Sequence, residues 1–164
     1  MSASIRAINK DDDQELAKII RASLEEFDVP KIGTVYSDPT TDNLYSLFTT
    51  AGSLYFVAEE DGILLGGCGV YPTPGLEDGC AELVKLYLSS SARGKGLGKQ
   101  LLETCFTAAN ELGYNKLYLE SFLQLEKAVS LYIKAGFYHI DHALGNSGHH
   151  ACTIWMLKDL TAPV

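Results

Sequence analysis

The sequence predicts an α/β protein of the α+β kind, in which a mixed sheet of about six or seven strands is flanked by about four helices. Short β-rich runs recur along the whole chain, amphipathic helical stripes separate several of them, and no internal repeat interrupts their order. A chain of 164 residues is long enough to bury one hydrophobic core. We therefore expect a single domain over residues 1–164.

The first third of the chain predicts one strand and two helices. Residues 4–8 alternate like a strand, and the acidic residues 11–13 offer an N-cap for a following helix. Apolar side chains recur at helical spacing in that helix: Leu16, Ile19, Ile20, Leu24 and Phe27. Residues 28–42, rich in Pro, Gly, Asp and Thr, predict a loop that leads to a shorter helix around 44–48.

The remaining elements alternate between strands and helices. Asp61-Gly62 is a favoured hairpin turn, so strands near 53–60 and 63–71 should be antiparallel. Another strand is expected near 80–89, followed by a helix over 96–112 that Gly113 ends. A strand near 115–121, a helix over 124–135 that Gly136 ends, and strands near 137–142 and 151–158 complete the prediction.

Composition excludes some functions and favours others. A net charge of -8 has the wrong sign for binding nucleic acid or an anionic membrane, and a cationic substrate is easier to reconcile with it. The cysteines form no CxxC motif and lie in apolar surroundings, which favours reduced core thiols. The N-terminus has no apolar signal core, and no apolar run approaches the length of a membrane span. We therefore expect a cytoplasmic protein.

Residues 91–99, "SARGKGLGK", place three glycines at alternate positions between a predicted strand and a predicted helix. Free backbone amides at the positive end of a helix dipole bind phosphate groups well, and glycine lets the phosphate approach closely. The Walker pattern and the GxGxxG pattern both fail on spacing. The loop therefore predicts a phosphate site that belongs to neither a P-loop nucleotidase nor a Rossmann dehydrogenase.

The pattern that fits is [RQ]xxGx[GA], met by Arg93, Gly96 and Gly98. It resembles the pyrophosphate loop of the GNAT superfamily of acyl-CoA-dependent N-acyltransferases. These enzymes also carry an AxxLYxxxGF segment thirty to forty residues later, which here is "AVSLYIKAGF" from Ala128 to Phe137. The resemblance spans nearly the whole chain, and each motif alone is also compatible with a plain turn or a core aromatic.

The resemblance implies acetyl-CoA as co-substrate and assigns its binding residues. The main chain of the strand before the loop would bind the pantetheine arm through Leu86, Tyr87 and Leu88. The pyrophosphate would lie over the amides of the loop, whose residues are Arg93, Gly94, Lys95, Gly96, Leu97, Gly98 and Lys99. Many family members carry Asn seven residues before the motif tyrosine, and this chain has Leu125 there. That cofactor contact is therefore lost or replaced.

Acyl transfer from a thioester to an amine needs a base for the amine and an acid for the departing thiolate. By resemblance, Tyr132 is the candidate acid, and a phenol stays protonated at neutral pH. Glu82 is the candidate base, because it stands in an apolar strand where burial would raise its pKa. The alternative is a plain ion pair of Glu82 with Lys85 or Lys116. Glu120 is a second candidate base, or a residue that binds the substrate amine.

The acceptor amine would belong to a small molecule or a peptide, and the resemblance places it between residues 24–39 and 142–150. Phe27 and Tyr36 could pack against its carbon skeleton, and His149 could orient it. The four histidines match no zinc motif, so we expect no metal. A catalytically silent acyl-CoA sensor is the main alternative function. Apolar strands near 115–120 and 151–158 allow a homodimer formed through sheet edges.

Overall fold

The computed structural model describes residues 3–161 and contains a seven-stranded sheet. The strands are β1 Ser4–Ala7, β2 Leu54–Glu60, β3 Ile63–Tyr71, β4 Cys80–Leu88, β5 Lys116–Ser121, β6 Tyr138–Ile140 and β7 Ile154–Asp159. They lie in the order β1-β2-β3-β4-β5-β7-β6, and every neighbouring pair is antiparallel except β4 and β5. The predicted mixed sheet is confirmed.

Four α-helices accompany the sheet, as predicted. They are α1 Asp13–Glu26, α2 Leu44–Leu47, α3 Leu97–Glu111 and α4 Glu126–Lys134, and short 3-10 turns cover Lys10–Asp12, Val35–Ser37, Pro39–Asp42 and Ser90–Ala92. The N-cap residue of α1 is Asp12, within the predicted acidic stretch, but its side chain makes no capping hydrogen bond to α1. Asn9 caps the 3-10 turn that leads into α1, and the Asp12 carboxylate accepts a hydrogen bond from the Asn9 amide at 2.8 Å.

The sheet carries a core on each face. On one face α3 buries Leu101, Leu102 and Cys105 against the sheet. On the other face α1 buries Leu16, Ile20 and Leu24 against a second set of sheet residues. Because successive strand residues point to opposite faces, a single strand such as β2 contributes to both cores. The helices thus cover both faces of the centre of the sheet.

The hairpin between β2 and β3 forms at the predicted dipeptide. Asp61 has φ of 52° and Gly62 has φ of 78°, so both residues are left-handed, as a tight two-residue turn requires. All four cysteines are free thiols, and three of them are buried. Over residues 3–161 we find no helix with the length and apolarity needed to cross a bilayer.

The strands proposed as dimer edges lie inside the sheet. β5 is paired on both sides by β4 and β7, and β7 is paired on both sides by β5 and β6. Edge pairing of the 115–120 and 151–158 segments with a second chain is therefore wrong. Among the described strands, the outer ones are β1 and β6, and β6 is only three residues long.

Candidate active site

β4 and β5 are paired along only three residues of each strand. Cys80–Glu82 align with Lys116–Tyr118, and the two strands separate beyond that point. The last six residues of β4 therefore have no neighbour on the β5 side, which leaves main-chain groups there for a ligand. This opening lies where the resemblance implies that the strand departs from its neighbour.

A β-bulge interrupts β4 just beyond the opening. Gly69 pairs with Val84 and Gly67 pairs with Tyr87, so two residues of β4 oppose a single residue of β3. Lys85 is the first of the two and has φ of 56°, a left-handed conformation that is costly for a lysine. The Tyr55 hydroxyl donates a hydrogen bond of 2.8 Å to the Lys85 carbonyl and holds the bulge from within the core.

The glycine-rich loop leads directly into α3. Gly94 and Gly96 have φ of 79° and 77°, and a Cβ atom at either would meet no atom within 4 Å. Gly96 is the N-cap of α3, and no side chain caps the first amides of this helix. The N-terminus of α3 is therefore open to a ligand and carries the positive end of the helix dipole. Gly98 is more crowded, because a Cβ there would lie 2.9 Å from the Leu131 side chain.

A groove of about 310 Å³ runs from this loop along β4. It is lined by nine of the ten residues predicted to bind acetyl-CoA: Leu86, Tyr87, Leu88, Arg93, Gly94, Gly96, Leu97, Gly98 and Lys99. Lys95 is the exception, since its ammonium lies 3.5 Å from the Glu60 carboxylate, outside the groove. Lys127, which sequence reasoning missed, adds a cation to the wall. The open amides, the cations and the apolar walls fit the phosphates and pantetheine arm of an acyl-CoA.

Arg93 lines the groove, and its guanidinium already contacts other groups of the protein. Its guanidinium lies 2.5 Å from Glu26 Oε2, donates to the Leu88 carbonyl at 3.1 Å and lies 4.9 Å from the centre of the Phe27 ring. Phe27, predicted to pack against the acceptor, therefore lines this groove and neither of the small cavities beside Glu82. The pairing joins α1 to the loop before α3 and so fixes the width of the groove.

Glu82 is a buried carboxyl at the point where β4 and β5 separate. It is 4% exposed, and Thr73 Oγ1 donates a hydrogen bond of 2.6 Å to its Oε1. Burial raises its pKa to about 7, helped by the negative charge of Glu120 and opposed by the Thr73 hydrogen bond and by Lys85. The alternative ion pair with Lys116 does not form, because Lys116 lies 3.0 Å from Glu77. Such a carboxyl can exchange a proton near neutral pH.

The Thr73 hydrogen bond gives a direct test of this assignment. In a Thr73→Val variant the carboxylate loses a donor that stabilises its charged form, so the pKa of Glu82 should rise further above 7. Carbon-13 NMR titration of glutamate carboxyls should show this, with Glu82→Gln identifying the resonance. An unmoved or lowered midpoint would contradict the assignment.

Glu120 lies on the neighbouring strand and is held by two hydroxyls. Tyr118 donates to its Oε2 at 2.7 Å, and Ser147 donates to its Oε1 at 2.6 Å. Glu120 is less buried than Glu82 and shares one cavity with it. Two donors hold the carboxylate in one position, which suits the binding of a cationic group.

Tyr132 lies in α4 with its ring against the core. The ring contacts Phe137 edge-on, with centroids 5.8 Å apart. Its hydroxyl makes no hydrogen bond to residues 3–161, whereas every fully buried side-chain oxygen of that range has a partner. The hydroxyl therefore retains exposed surface, and the residue lines the cavity that Glu82 lines. Burial raises its pKa well above the usual 10, so the phenol is protonated at working pH.

Two small cavities, of about 50 and 80 Å³, lie on the α1 side of β4. Glu82, Lys85 and His149 line both of them. The first cavity also shares Leu86, Tyr87 and Leu125 with the groove, so groove and cavities meet at the separated part of β4. Leu125, in the position of the family asparagine, is thus an apolar wall between the two.

The segment between β6 and β7 closes the cavities from outside. His149 Nε2 lies 2.8 Å from Asp38 Oδ2, and the Leu144 amide donates to the Tyr118 hydroxyl at 3.0 Å. His149 lines the same cavities as Glu82, with Asp38 as a partner that sequence reasoning did not pair with it. Tyr36 lies on the outer surface instead, where its hydroxyl is 2.5 Å from Glu25, and it lines neither cavity.

Within residues 3–161, no group of three or more His, Cys, Asp or Glu side chains is placed to hold a metal ion. His142 contacts its neighbour Asp141 at the surface, with 2.6 Å between Nδ1 and Oδ1. Among the histidines, all of which lie within residues 3–161, His149 lines both small cavities, and its Nε2 contacts Asp38.

Comparison with known sequences identifies the family of this chain. The sequence model of the acetyltransferase (GNAT) family matches residues 16–137. An uncharacterized N-acetyltransferase of Escherichia coli K12, YjgM, is 37% identical over 97% of this chain and 96% of its own length.

Solved structures show the same fold. A GNAT-family acetyltransferase of Staphylococcus aureus superimposes with a TM-score of 0.87 at 20% identity, over 98% of this chain and 100% of that one. The PaiA N-acetyltransferase of Thermoplasma acidophilum, solved in complex with coenzyme A, gives a TM-score of 0.76 at 23% identity, over 97% and 99% of the two chains. With its sequence match, its fold and its open glycine-rich loop, this chain belongs to the GNAT family of acetyltransferases.

Proposed function

We propose that this protein transfers an acetyl group from acetyl-CoA to a primary amine of a small molecule or peptide, directly within a ternary complex. The observation that carries the proposal is the meeting of two spaces at β4. The groove that leads from the α3 N-terminus reaches Leu86 and Tyr87, and the cavity that contains Glu82 begins at the same two residues. A thioester held along the groove would therefore reach an amine held beside Glu82.

The donor side is supported by charge and by shape. The uncapped amides of α3 and the left-handed Gly94 and Gly96 suit a pyrophosphate, and Lys99 and Lys127 add positive charge. The main chain of Leu86 and Tyr87 has no strand partner on the β5 side and would bind the amides of the pantetheine arm, next to the Leu88 carbonyl that already accepts from Arg93. One free backbone N–H in this stretch would stabilise the oxyanion of the tetrahedral intermediate.

The chemistry needs two proton transfers. The amine nitrogen attacks the thioester carbonyl carbon, a C–N bond forms, and Glu82 accepts the proton that the nitrogen loses. The C–S bond then breaks, and the Tyr132 phenol donates the proton that the departing thiolate takes up. A carboxyl with a pKa of about 7 suits the first role, and a phenol that stays protonated suits the second.

On the acceptor side, Glu120 would hold the substrate ammonium, which releases one proton to solvent to become the neutral amine that attacks. Its two hydroxyl donors fix the carboxylate in the cavity that also contains Glu82. His149, held by Asp38, would form the opposite wall. We therefore propose that these residues position the amine and that Glu82, not Glu120, removes its proton.

Calorimetric titration with acetyl-CoA and desulfo-CoA, followed by a thiol-release assay over polyamines, amino sugars, amino acids and lysine peptides, tests the proposal. We expect binding of both CoA species and thiol release that depends on an added amine. Binding without release from any amine would instead favour an acyl-CoA sensor, and absence of binding would refute the assignment of the groove.

A Gly96→Asp variant should lose affinity for acetyl-CoA by about 100-fold, or ~3 kcal/mol. Its carboxylate would stand at the open α3 N-terminus and repel the pyrophosphate, while a Cβ at this position meets no protein atom. Gly113→Asp is the matched control, because Gly113 is also left-handed and open but follows the far end of α3. Equal dissociation constants for the two variants would contradict the loop assignment.

A further inference from the structure

Lys85 is a buried cation for which the proposed reaction has no use. It is 9% exposed and occupies the left-handed position of the β4 bulge. A regular strand would alternate its faces through this position, but the extra residue places Lys85 on the cavity side together with Glu82 and Val84. A lysine in such a backbone conformation and at such a depth is expensive, which points to a use for its charge.

The hydrogen-bonding capacity of the Lys85 ammonium is unused. It forms no hydrogen bond and no ion pair within residues 3–161. Burial lowers its pKa, and the negative charges of Asp38 and Glu82 oppose this shift. Both carboxylates have other donors, since Asp38 contacts His149 and Thr40 while Glu82 accepts from Thr73. Buried ammonium groups are normally paired, so the unpaired Lys85 ammonium is suited to bind an anionic group of a ligand.

The free ammonium opens into the acceptor site. Lys85 lines both cavities of about 50 and 80 Å³, and Glu82 lines the same two. Every fully buried side-chain nitrogen of the described range has a hydrogen-bond partner. Because the Lys85 ammonium has none, it must keep some exposed surface, through which a ligand in these cavities can reach it. A molecule bound here would thus meet a proton acceptor and a cation together in a confined space.

We propose that Lys85 binds a carboxylate of the acceptor, so that the substrate is a small amine that also carries a carboxylate, as a free amino acid does. The inference rests on the proposed function for the amine and the acetyl group, and adds the acidic group. Glu82 and Glu120 would attract the ammonium end and Lys85 the carboxylate end. The small cavities favour a free amino acid over a peptide side chain on a large partner.

Matched pairs of acceptors test this directly on the unaltered protein. Each L-amino acid is compared with its carboxamide in the thiol-release assay, and the same pairs are titrated by calorimetry into the protein saturated with desulfo-CoA. We expect the best acids to exceed their amides by about 50-fold in kcat/KM and in affinity, as a charge-assisted hydrogen bond predicts. The amide amine is less basic and more often neutral, so this bias works against the proposal.

Two variants locate the effect. Lys85→Met keeps length and removes charge, and should reduce the acid-to-amide ratio to within about threefold, because any effect on Glu82 acts on both kinds of acceptor alike and cancels in the ratio. Lys158→Met is the control, because Lys158 is also buried, but its ammonium donates to the Ala135 carbonyl at 2.8 Å, away from both cavities. It should keep the full ratio.

Each result decides between the alternatives. Equal use of acids and amides by the unaltered protein, or thiol release only with amines that lack a carboxylate, would overturn the role of Lys85 and leave the acetyltransferase proposal standing. An equal loss on acids and amides in Lys85→Met would show a structural role and overturn it too. Lys85-dependent binding of acids without any thiol release would support the carboxylate site while refuting the proposed transfer. Absence of binding and turnover for every acid would overturn the inference.

Discussion

Glu82→Gln should lower kcat/KM by about 100- to 1,000-fold, the range for loss of a general base. Glutamine keeps the size of the side chain and can still contact Thr73, but it cannot accept the proton of the amine. The affinity for acetyl-CoA should stay within a few-fold, because Glu82 does not line the groove. Steady-state kinetics with calorimetry checks both expectations, and Glu77→Gln, which removes an exposed carboxylate just before β4, is the control.

The pH profile separates a base from a structural carboxyl. Glu82 must be ionised to act, so kcat/KM should fall about tenfold per pH unit below its pKa of about 7 and level off above it. The midpoint should not move when the acceptor is changed to an amine of different basicity. Glu82→Gln should lose this inflection. A midpoint that follows the amine, or that survives in the variant, would exclude Glu82 as the base.

The same pKa predicts an effect on stability that needs no substrate. Folding raises the pKa of Glu82 from 4.5 to about 7, so its contribution is present in full below pH 4.5 and is lost as pH rises through 7. Relative to Glu82→Gln, the free energy of unfolding should therefore fall by about 3 kcal/mol between pH 4.5 and pH 8. Urea unfolding at several pH values measures the difference. A constant gap between the two proteins would show that the carboxyl is not desolvated.

Tyr132→Phe should lower kcat by about 100-fold and leave the dissociation constant of acetyl-CoA unchanged. The ring and its edge-on contact with Phe137 are kept, so only the proton donor is removed. Because the thiolate would then leave unprotonated, the loss should be smaller for acyl donors whose leaving thiol is more acidic. Pre-steady-state thiol release with two such donors measures the dependence.

Tyr114→Phe is the matched control for this variant. This substitution also removes a hydroxyl, which donates to the Gly52 carbonyl at 2.8 Å. Tyr114 lines neither of the small cavities beside Glu82. We expect a cost of about 1 kcal/mol in stability and no change in kcat. Equal kcat values in Tyr132→Phe and the unaltered protein would remove the phenol from the mechanism.

The candidate site was predictable where its signal is local. The spacing of Gly94, Gly96 and Gly98 and the isolated acid in "AELVKLYL" both lie within short segments, and they led to the groove and to Glu82. Partners that depend on distant segments were missed. Asp38 and His149 are 111 residues apart in the chain, and Arg93 and Glu26 are 67 apart. No pattern of spacing links such pairs.

The order of strands and helices, the hairpin at Asp61-Gly62 and the glycine-rich turn that begins α3 were determined by the sequence alone, because periodicity and turn chemistry act over a few residues. Only the tertiary structure decided which surface each side chain faces. The bulge turned Lys85 into the cavities that Glu82 lines, and the packing of α1 placed Phe27 in the groove and Tyr36 outside those cavities. A shift of one residue in a strand exchanges its two faces. In β4 that shift is set by its pairing with β3, and the sequence of β4 alone does not show how the two strands pair.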